Sequence, residues 1–531
     1  MSKGFNSSLD VVNCQRFLRL YTMIIRRSLL ERQLTLQSRR YYSSVETVVT
    51  LPSGLKYRQP IGLFIANGFD VSTDGKKLTT YDPRSGRPIA SVFSAGSADV
   101  NNAVQSARLA LGPWRTTPGT ERGILLHNLS RLIEDHKDIL GSIEAFDTGK
   151  SADTAMSEDI QECINVTRYY AGWADKIHGY SIQPFTEKFA YTLHEPFGVC
   201  ALIVPWNYPL MLAIWKLAPA VAAGNTVVLK TSELTPLSSL YLGNLITEAG
   251  FPQGVVNILS GDGDTGAALA LHCGISKISF TGSAATGRKI MQAAASNLVP
   301  VTLELGGKSA AIIFEDADLE QAVKWCYSGI MSNSGQMCSA TSRILIQETI
   351  YKKFVEMFKS YTIHRMSMGP LDHGPQISDA QLKKVLQYVR LGIEEGANLV
   401  YGGEEMDVPG YFMLPTIFSD ARDHMKIVQE EVFGPVVVMD SFATSSDAIR
   451  RANSSEYGLA SAVFTKSITE AVNTAQKLDV GMVWVNSSQD SDFRVPFGGF
   501  KMSGFGQELG EYAMKNYWRP KAVHLNLGIS L

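Results

Sequence analysis

From about residue 198 the chain alternates between two rhythms of apolar and polar positions. Short β-rich runs stand at 199–204 (VCALIV), 226–230 (TVVLK), 255–259 (VVNIL), 277–280 (KISF) and 301–305 (VTLEL). Helical stretches separate them: one to about 223, one near 236–249, one near 264–272 and one at about 284–296. Five strands joined by four helices predict right-handed crossovers and a parallel sheet with helices on both faces, an α/β fold. Such a sheet binds ligands beyond the carboxyl ends of its strands. The segments 205–207, 230–233, 261–263 and 281–287 all lie at such ends. A second alternating block runs from Ala310 to about Trp484, opening with AAIIF and a helix near 318–331, and predicts a separate α/β domain. Apolar pieces around 191–193 and 522–527 belong to neither alternation, which leaves them free to pair with another subunit. Residues 196–215 carry no charge, but Pro205, Asn207 and Pro209 break the run, so it reads as strand, turn and helix and not as a membrane span.

Composition narrows the class. The chain has 531 residues, enough for three or four domain-sized units, and its 45% hydrophobic and 19% charged content excludes coiled coil and disorder as the main state. With 49 basic and 51 acidic residues the net charge is −2, so no global field draws in nucleic acid. That balance conceals a basic N-terminus: residues 1–45 hold 8 basic and 2 acidic residues, 8 − 2 = +6, leaving −2 − 6 = −8 for the rest. On a helical projection Arg16, Arg19, Arg26 and Arg27 share one sector, opposite Phe17, Leu18, Tyr21, Ile24, Ile25 and Leu29. An Arg-rich, acid-poor amphipathic start of this kind is expected of a mitochondrial presequence spanning 1–42, and Arg40-Tyr41-Tyr42-Ser43 resembles its processing site. The expected destination is the mitochondrial matrix. Cysteines at 14, 163, 200, 273, 326 and 338 form no CxxC pair and no His-spaced cluster, so neither a zinc site nor a disulfide framework is predicted.

Several residues at the strand ends carry candidate chemistry. The loop FTGSAATG at 280–287 sets a glycine turn between a strand and a helix, where free backbone N–H groups favour an anion. It lacks GxGxxG, and Arg288-Lys289 after Gly287 excludes a P-loop. Cys338 sits in the loop Asn333-Ser334-Gly335-Gln336-Met337-Cys338-Ser339, Glu304 ends a strand at the ligand edge, and Asn207 lies in Pro205-Trp206-Asn207-Tyr208-Pro209. Taken singly, each has a plainer reading: a buried inert thiol, an ion-pair partner and a helix cap.

In combination they do not. PWNYP, VVLKTSELTP, FTGSAATG, LELGGK, GQMCS, EEVFGPV and PFGGFKMSGFG occur in this order, and from about residue 60 to 525 the chain closely resembles the aldehyde dehydrogenase superfamily, most of all fungal mitochondrial enzymes of the class 1/2 type. The resemblance implies a Rossmann-like NAD-binding domain (50–176 and 198–306), a second α/β catalytic domain (307–510) and a small β oligomerisation arm (177–197 and 511–531). It implies Cys338 as the nucleophile that forms a thiohemiacetal and then a thioester, Asn207 as oxyanion donor, Glu304 as the base for hydrolysis, and Lys216 as a proton relay or a surface lysine. Pro205, Trp206, Lys230, Glu233, Gly263, Gly282, Ser283, Gly287, Leu305, Glu431 and Phe433 are assigned to the cofactor. Glu233 accepts ribose hydroxyls and repels a 2′-phosphate, which favours NAD and leaves NADP as second choice. Tyr208, Met211, Leu212, Trp215, Ser332 and Phe497 are expected to wall the substrate pocket, with Ser332 and Ser491 standing where relatives carry bulky side chains. The implied partners are a small aldehyde and further copies of the chain, as a homotetramer or homodimer, with neither nucleic acid nor membrane. A CoA-acylating enzyme and a catalytically idle binding protein are the competing readings; Glu304 opposes the first, and intact Cys338, Glu304 and Asn207 oppose the second.

Overall fold

Strands Val199–Ile203 and Thr226–Lys230 are buried at every position because helices cover both faces of their sheet. They are the centre of the structure, a computed structural model describing residues 45–369 and 371–531; the expected presequence 1–42 lies outside the described residues. Five parallel strands run in the order Val301–Glu304, Lys277–Thr281, Val199–Ile203, Thr226–Lys230, Val256–Leu259. The chain therefore builds outward from Val199–Ile203 on one side and then returns to build on the other. The reversal falls between Val199–Ile203 and Lys277–Thr281, which opens a crevice at their carboxyl ends. All five predicted strands form within one residue of the expected limits, and the helices Pro209–Ala222, Leu237–Glu248, Gly263–Leu271 and Ala284–Ala295 connect them.

The sheet is wider than expected. A hairpin of Leu63–Ile65 and Gly68–Asp70 extends one edge, and Gly504–Phe505 pairs antiparallel with Leu303 and Glu304 at the other. Helices Ser97–Thr116, Gly119–Asp135, Lys137–Thr148 and Gln161–Trp173, which precede the alternation, complete this domain. Phe497, Leu509, Ala513, Met514 and Tyr517 bury in the same core. Phe497 and Leu509 thus pack on the first core ahead of the boundary expected at 510, while Phe500–Lys501 pair with Tyr457–Gly458.

The second domain is a seven-stranded sheet in the order Asn398–Tyr401, Thr416–Ser419, Val436–Phe442, Arg343–Gln347, Ala310–Ile313, Ala460–Phe464, Met482–Val485, parallel except at Asn398–Tyr401. A third, antiparallel sheet joins Ser181–Phe185, Lys188–Pro196 and Trp518–Asn526. Its two apolar pieces, expected to seek another subunit, pair with each other: Tyr191 lies opposite Val523 and Leu193 opposite Lys521. Only Ser181–Phe185 and Trp518–Asn526 are left as open edges. No helix among the described residues is long and apolar enough to cross a membrane.

Candidate active site

A cavity of about 1160 Å³ lies at the crevice, between the two large sheets. Its walls are loops that leave buried strands, so their backbone is fixed where their side chains are free to act.

The first wall is the turn 205–208. Pro209 opens the helix Pro209–Ala222, where its missing N–H costs nothing. Asn207 is buried; its Nδ2 donates to the Gln336 carbonyl at 3.0 Å, and its Oδ1 has no partner among the described residues. One N–H of the amide thus fixes its orientation and the other stays available.

Cys338 occupies the facing loop. Asn333, Ser334 and Gly335 there hold φ of 49°, 55° and 72°, a run of left-handed residues that persists only under outside constraint. Gln336 supplies it: Nε2 donates to the Pro375 carbonyl at 3.2 Å and Oε1 accepts from the Ile377 N–H at 2.9 Å. Glycine is required at 335, because a Cβ would stand 2.1 Å from the Gly434 carbonyl oxygen. Cys338 itself is half-buried. Burial first, then the charges of Glu304 and Glu431, push its thiol up to about 12.

Glu304 ends its strand 3% exposed, with both carboxyl oxygens unpartnered among the described residues. Burial raises its pKa well above the usual carboxylate range, Glu508 adds to this, and Lys216 opposes it. The surface reading of Lys216 is corrected: the side chain is fully buried and Nζ pairs with Glu508 Oε1 at 2.5 Å. Lys216 and Glu304 stand behind the cavity wall; a Cβ on Gly498, beside the wall residue Phe497, would lie 3.0 Å from Glu304 Oε1.

The cofactor set converges with one exception. Pro205, Trp206, Lys230, Glu233, Gly263, Gly282, Ser283, Leu305, Glu431 and Phe433 all line the cavity. Lys230 Nζ lies 3.4 Å from Glu233 Oε2, and Ser283 caps Ala284–Ala295 by accepting the Thr286 N–H at 3.2 Å. Glu431 Oε1 accepts the Gly307 N–H at 3.0 Å, over a Gly306 that leaves no room for a Cβ. Phe433 meets Trp206 edge-on with ring centres 5.3 Å apart. Gly287 is the exception: it does not line the cavity, and a Cβ there would stand 2.7 Å from Leu305 Cδ2, so its task is to let the helix approach the Leu305 side chain.

The substrate set also converges: Tyr208, Met211, Leu212, Trp215, Ser332, Ser491 and Phe497 line the cavity, with Trp215 and Phe497 packed at 5.2 Å between ring centres. Sequence reasoning missed Gln161, Glu162 and Asn165, which enter the cavity from the helix Gln161–Trp173. Their signal is positional: polar residues one turn apart on a helix whose Cys163, Ile164 and Val166 are buried. It also missed Gln489, which accepts from Ser339 Oγ at 2.6 Å and donates back to the Ser339 carbonyl at 3.0 Å.

Comparison with known proteins agrees with this arrangement. The model of the aldehyde dehydrogenase family matches residues 71–523. An aldehyde dehydrogenase of Emericella nidulans is 48% identical over 92% of this chain and 99% of its own length. Aldehyde dehydrogenase [NAD(P)+] 1 of Saccharomyces cerevisiae is 47% identical over 90% of this chain and 97% of its own. Among solved structures, an NAD+ complex of an aldehyde dehydrogenase from Bacillus cereus superposes with a TM-score of 0.85 at 43% identity, covering 88% of this chain and 97% of that one. The fold, the cavity and these relationships lead to one conclusion: the chain belongs to the aldehyde dehydrogenase family.

Proposed function

We propose that the chain oxidises aldehydes to carboxylic acids with NAD as hydride acceptor, Cys338 serving as nucleophile and Glu304 as the base for hydrolysis. The observation that carries this reading is one continuous cavity, lined by Lys230 and Glu233 as well as by Cys338 and Asn207.

The residues present fit the cofactor. The space is ample for a dinucleotide with a small substrate. Lys230 and Glu233 offer a donor and an acceptor to ribose hydroxyls, Glu233 disfavours a 2′-phosphate, and the Ser283-capped helix presents its N-terminus to phosphate. Glu431, Phe433 and Leu305 would bound the nicotinamide end. When bound, NAD takes up the hydride that leaves the substrate carbon.

Everything else falls to the protein. The Cys338 thiolate attacks the carbonyl carbon, and the negative charge collects on the former carbonyl oxygen. The free N–H of Asn207 Nδ2 and the backbone N–H of Cys338 stabilise that oxygen. Loss of hydride leaves a thioester on Cys338. Glu304 removes a proton from water as it attacks the thioester carbon; the C–S bond breaks and the thiolate returns. The proton on Glu304 then has a neighbouring outlet in the Lys216–Glu508 pair.

The purified chain, begun at Ser43, is expected to form NADH and acid in equal amounts from short aldehydes without CoA. It should use NAD better than NADP. Absence of NADH across aliphatic and aromatic aldehydes overturns the reading.

Two further proposals concern the whole protein. The basic amphipathic segment 1–42 supports delivery to the mitochondrial matrix, and a fluorescent reporter fused to it should co-localise with a matrix marker. The arm sheet supports a homodimer or a tetramer of dimers, because its open-edged strands also expose Ile182, Phe185 and Leu525.

A further inference from the structure

The charged lining of the cavity is divided. At the cofactor end Lys230, Lys289 and Lys384 offset Glu233, Asp264 and Glu431. The rest of the charged lining is acidic alone: Glu158, Asp159, Glu162 and Asp490. Tyr208 ties the group together, since Asp159, Glu158 and Cys338 all act on its hydroxyl. Asp490 follows Gln489, which bonds Ser339 beside Cys338.

The neighbouring cations are already engaged. Lys150 pairs with Asp159 at 2.6 Å and lies 3.5 Å from the centre of the Tyr208 ring. Arg494 forks onto Asp492 at 2.8 and 2.7 Å, and Lys137 donates to Gln161 at 2.7 Å from outside the lining. Among the described residues Glu158, Glu162 and Asp490 form no ion pair, although the Lys150 charge also acts on Glu158. Burial, with Asp492 adding, pushes the Glu162 carboxyl up to about 7, as expected of a carboxylate lacking a counter-charge. Two lining residues, 4% and 6% exposed, each carry a buried polar atom without a partner among the described residues, Asn207 Oδ1 and Trp215 Nε1. The remaining walls include the rings of Trp215, Trp325 and Phe497.

Carboxylates that form no ion pair, in a cavity also walled by aromatic rings, make an environment that stabilises an ammonium group and repels an anion. Resting on the assignment of Cys338 as nucleophile, we propose that Glu162, Glu158 and Asp490 select aldehydes bearing a cationic amine at the far end of a short chain. The ammonium sits among the carboxylates while the aldehyde carbon reaches Cys338. Ser332 and Ser491, small and polar in this half of the cavity, leave room for the hydrated head.

The test compares three aldehydes of similar size on the mature enzyme at saturating NAD: 3-ammoniopropanal, neutral butanal and anionic succinic semialdehyde. The expected order of kcat/KM is cation, neutral, anion, with the cation ahead by about tenfold and the gap narrowing as salt is raised. In the Glu162→Gln, Asp490→Asn double variant the cation-to-neutral ratio should fall by about the same factor. Butanal equal to or better than the cation, or a ratio unmoved by the double variant, overturns the proposal while leaving the dehydrogenase reading intact. NADH from none of the three overturns both.

Discussion

At Cys338 reactivity and environment are opposed. Attack needs the thiolate, whereas burial first, then the Glu304 and Glu431 carboxylates, push the thiol up to about 12, and burial with Glu508 raises the Glu304 carboxyl above the usual carboxylate range. Both shifts act in the same direction: each raised group gains its reactive ionised form as pH rises. Turnover is therefore expected to climb with pH across the alkaline range, measurable as the initial rate of NADH formation; a rate that falls there would contradict the assigned roles. Cys338→Ser should abolish NADH formation yet leave NAD binding, read by calorimetry, nearly unchanged. Glu304→Gln should separate the two half-reactions. Hydride leaves before hydrolysis, so one equivalent of NADH per site should appear in a burst, followed by little steady turnover. Loss of the burst as well would move Glu304 to the activation of Cys338.

Between residues and domains stand the loops that aim them. The cysteine loop keeps its left-handed run because Gln336 and the 433–435 backbone enclose it. Gly335→Ala is expected to cost about 1–3 kcal/mol in backbone strain alone. Displacement of the Gly434 carbonyl comes on top. A lowered melting temperature with a still larger loss of kcat is the expected signature, and an unaffected variant would show that the loop tolerates another path. The limits of sequence reasoning lie at this scale. The strands from Val199 to Glu304 were legible because each is a short apolar run bounded by turn residues, and the strand ends then indicated where Asn207, Glu304 and the 280–287 loop would meet. Lys216 was not legible, because its burial depends on Glu508, 292 residues away. At Gly287 the packing against Leu305 was not legible, because a motif glycine gives no sign in one dimension of the side chain that lies over it. Gln161, Glu162 and Asn165 lie on a helix with no diagnostic motif, so only the packed structure brings them to the cavity.

For the whole molecule, the arm is the element whose loss should be felt furthest away. Ending the chain after Trp518 removes nearly all of Trp518–Asn526 and uncovers Lys188–Pro196. If the proposed assembly holds, light scattering is expected to report dissociation or aggregation, and a stable, active monomer from the full mature chain would refute that proposal. The return of the chain to its first domain has a consequence in time. Gly504–Phe505 closes the edge beside Glu304, Glu508 meets Lys216, and the Tyr517 carbonyl accepts from Asn225 Nδ2. Gly504–Phe505, Glu508 and Tyr517 are all synthesised after the strands of the second domain. The nascent protein must therefore wait with an open sheet edge and an interior lysine that lacks its Glu508 partner, exposed to chaperones and proteases throughout synthesis of the second domain. Chains stalled at successive lengths should gain protease resistance over 199–304 only once residue 517 has cleared the exit tunnel.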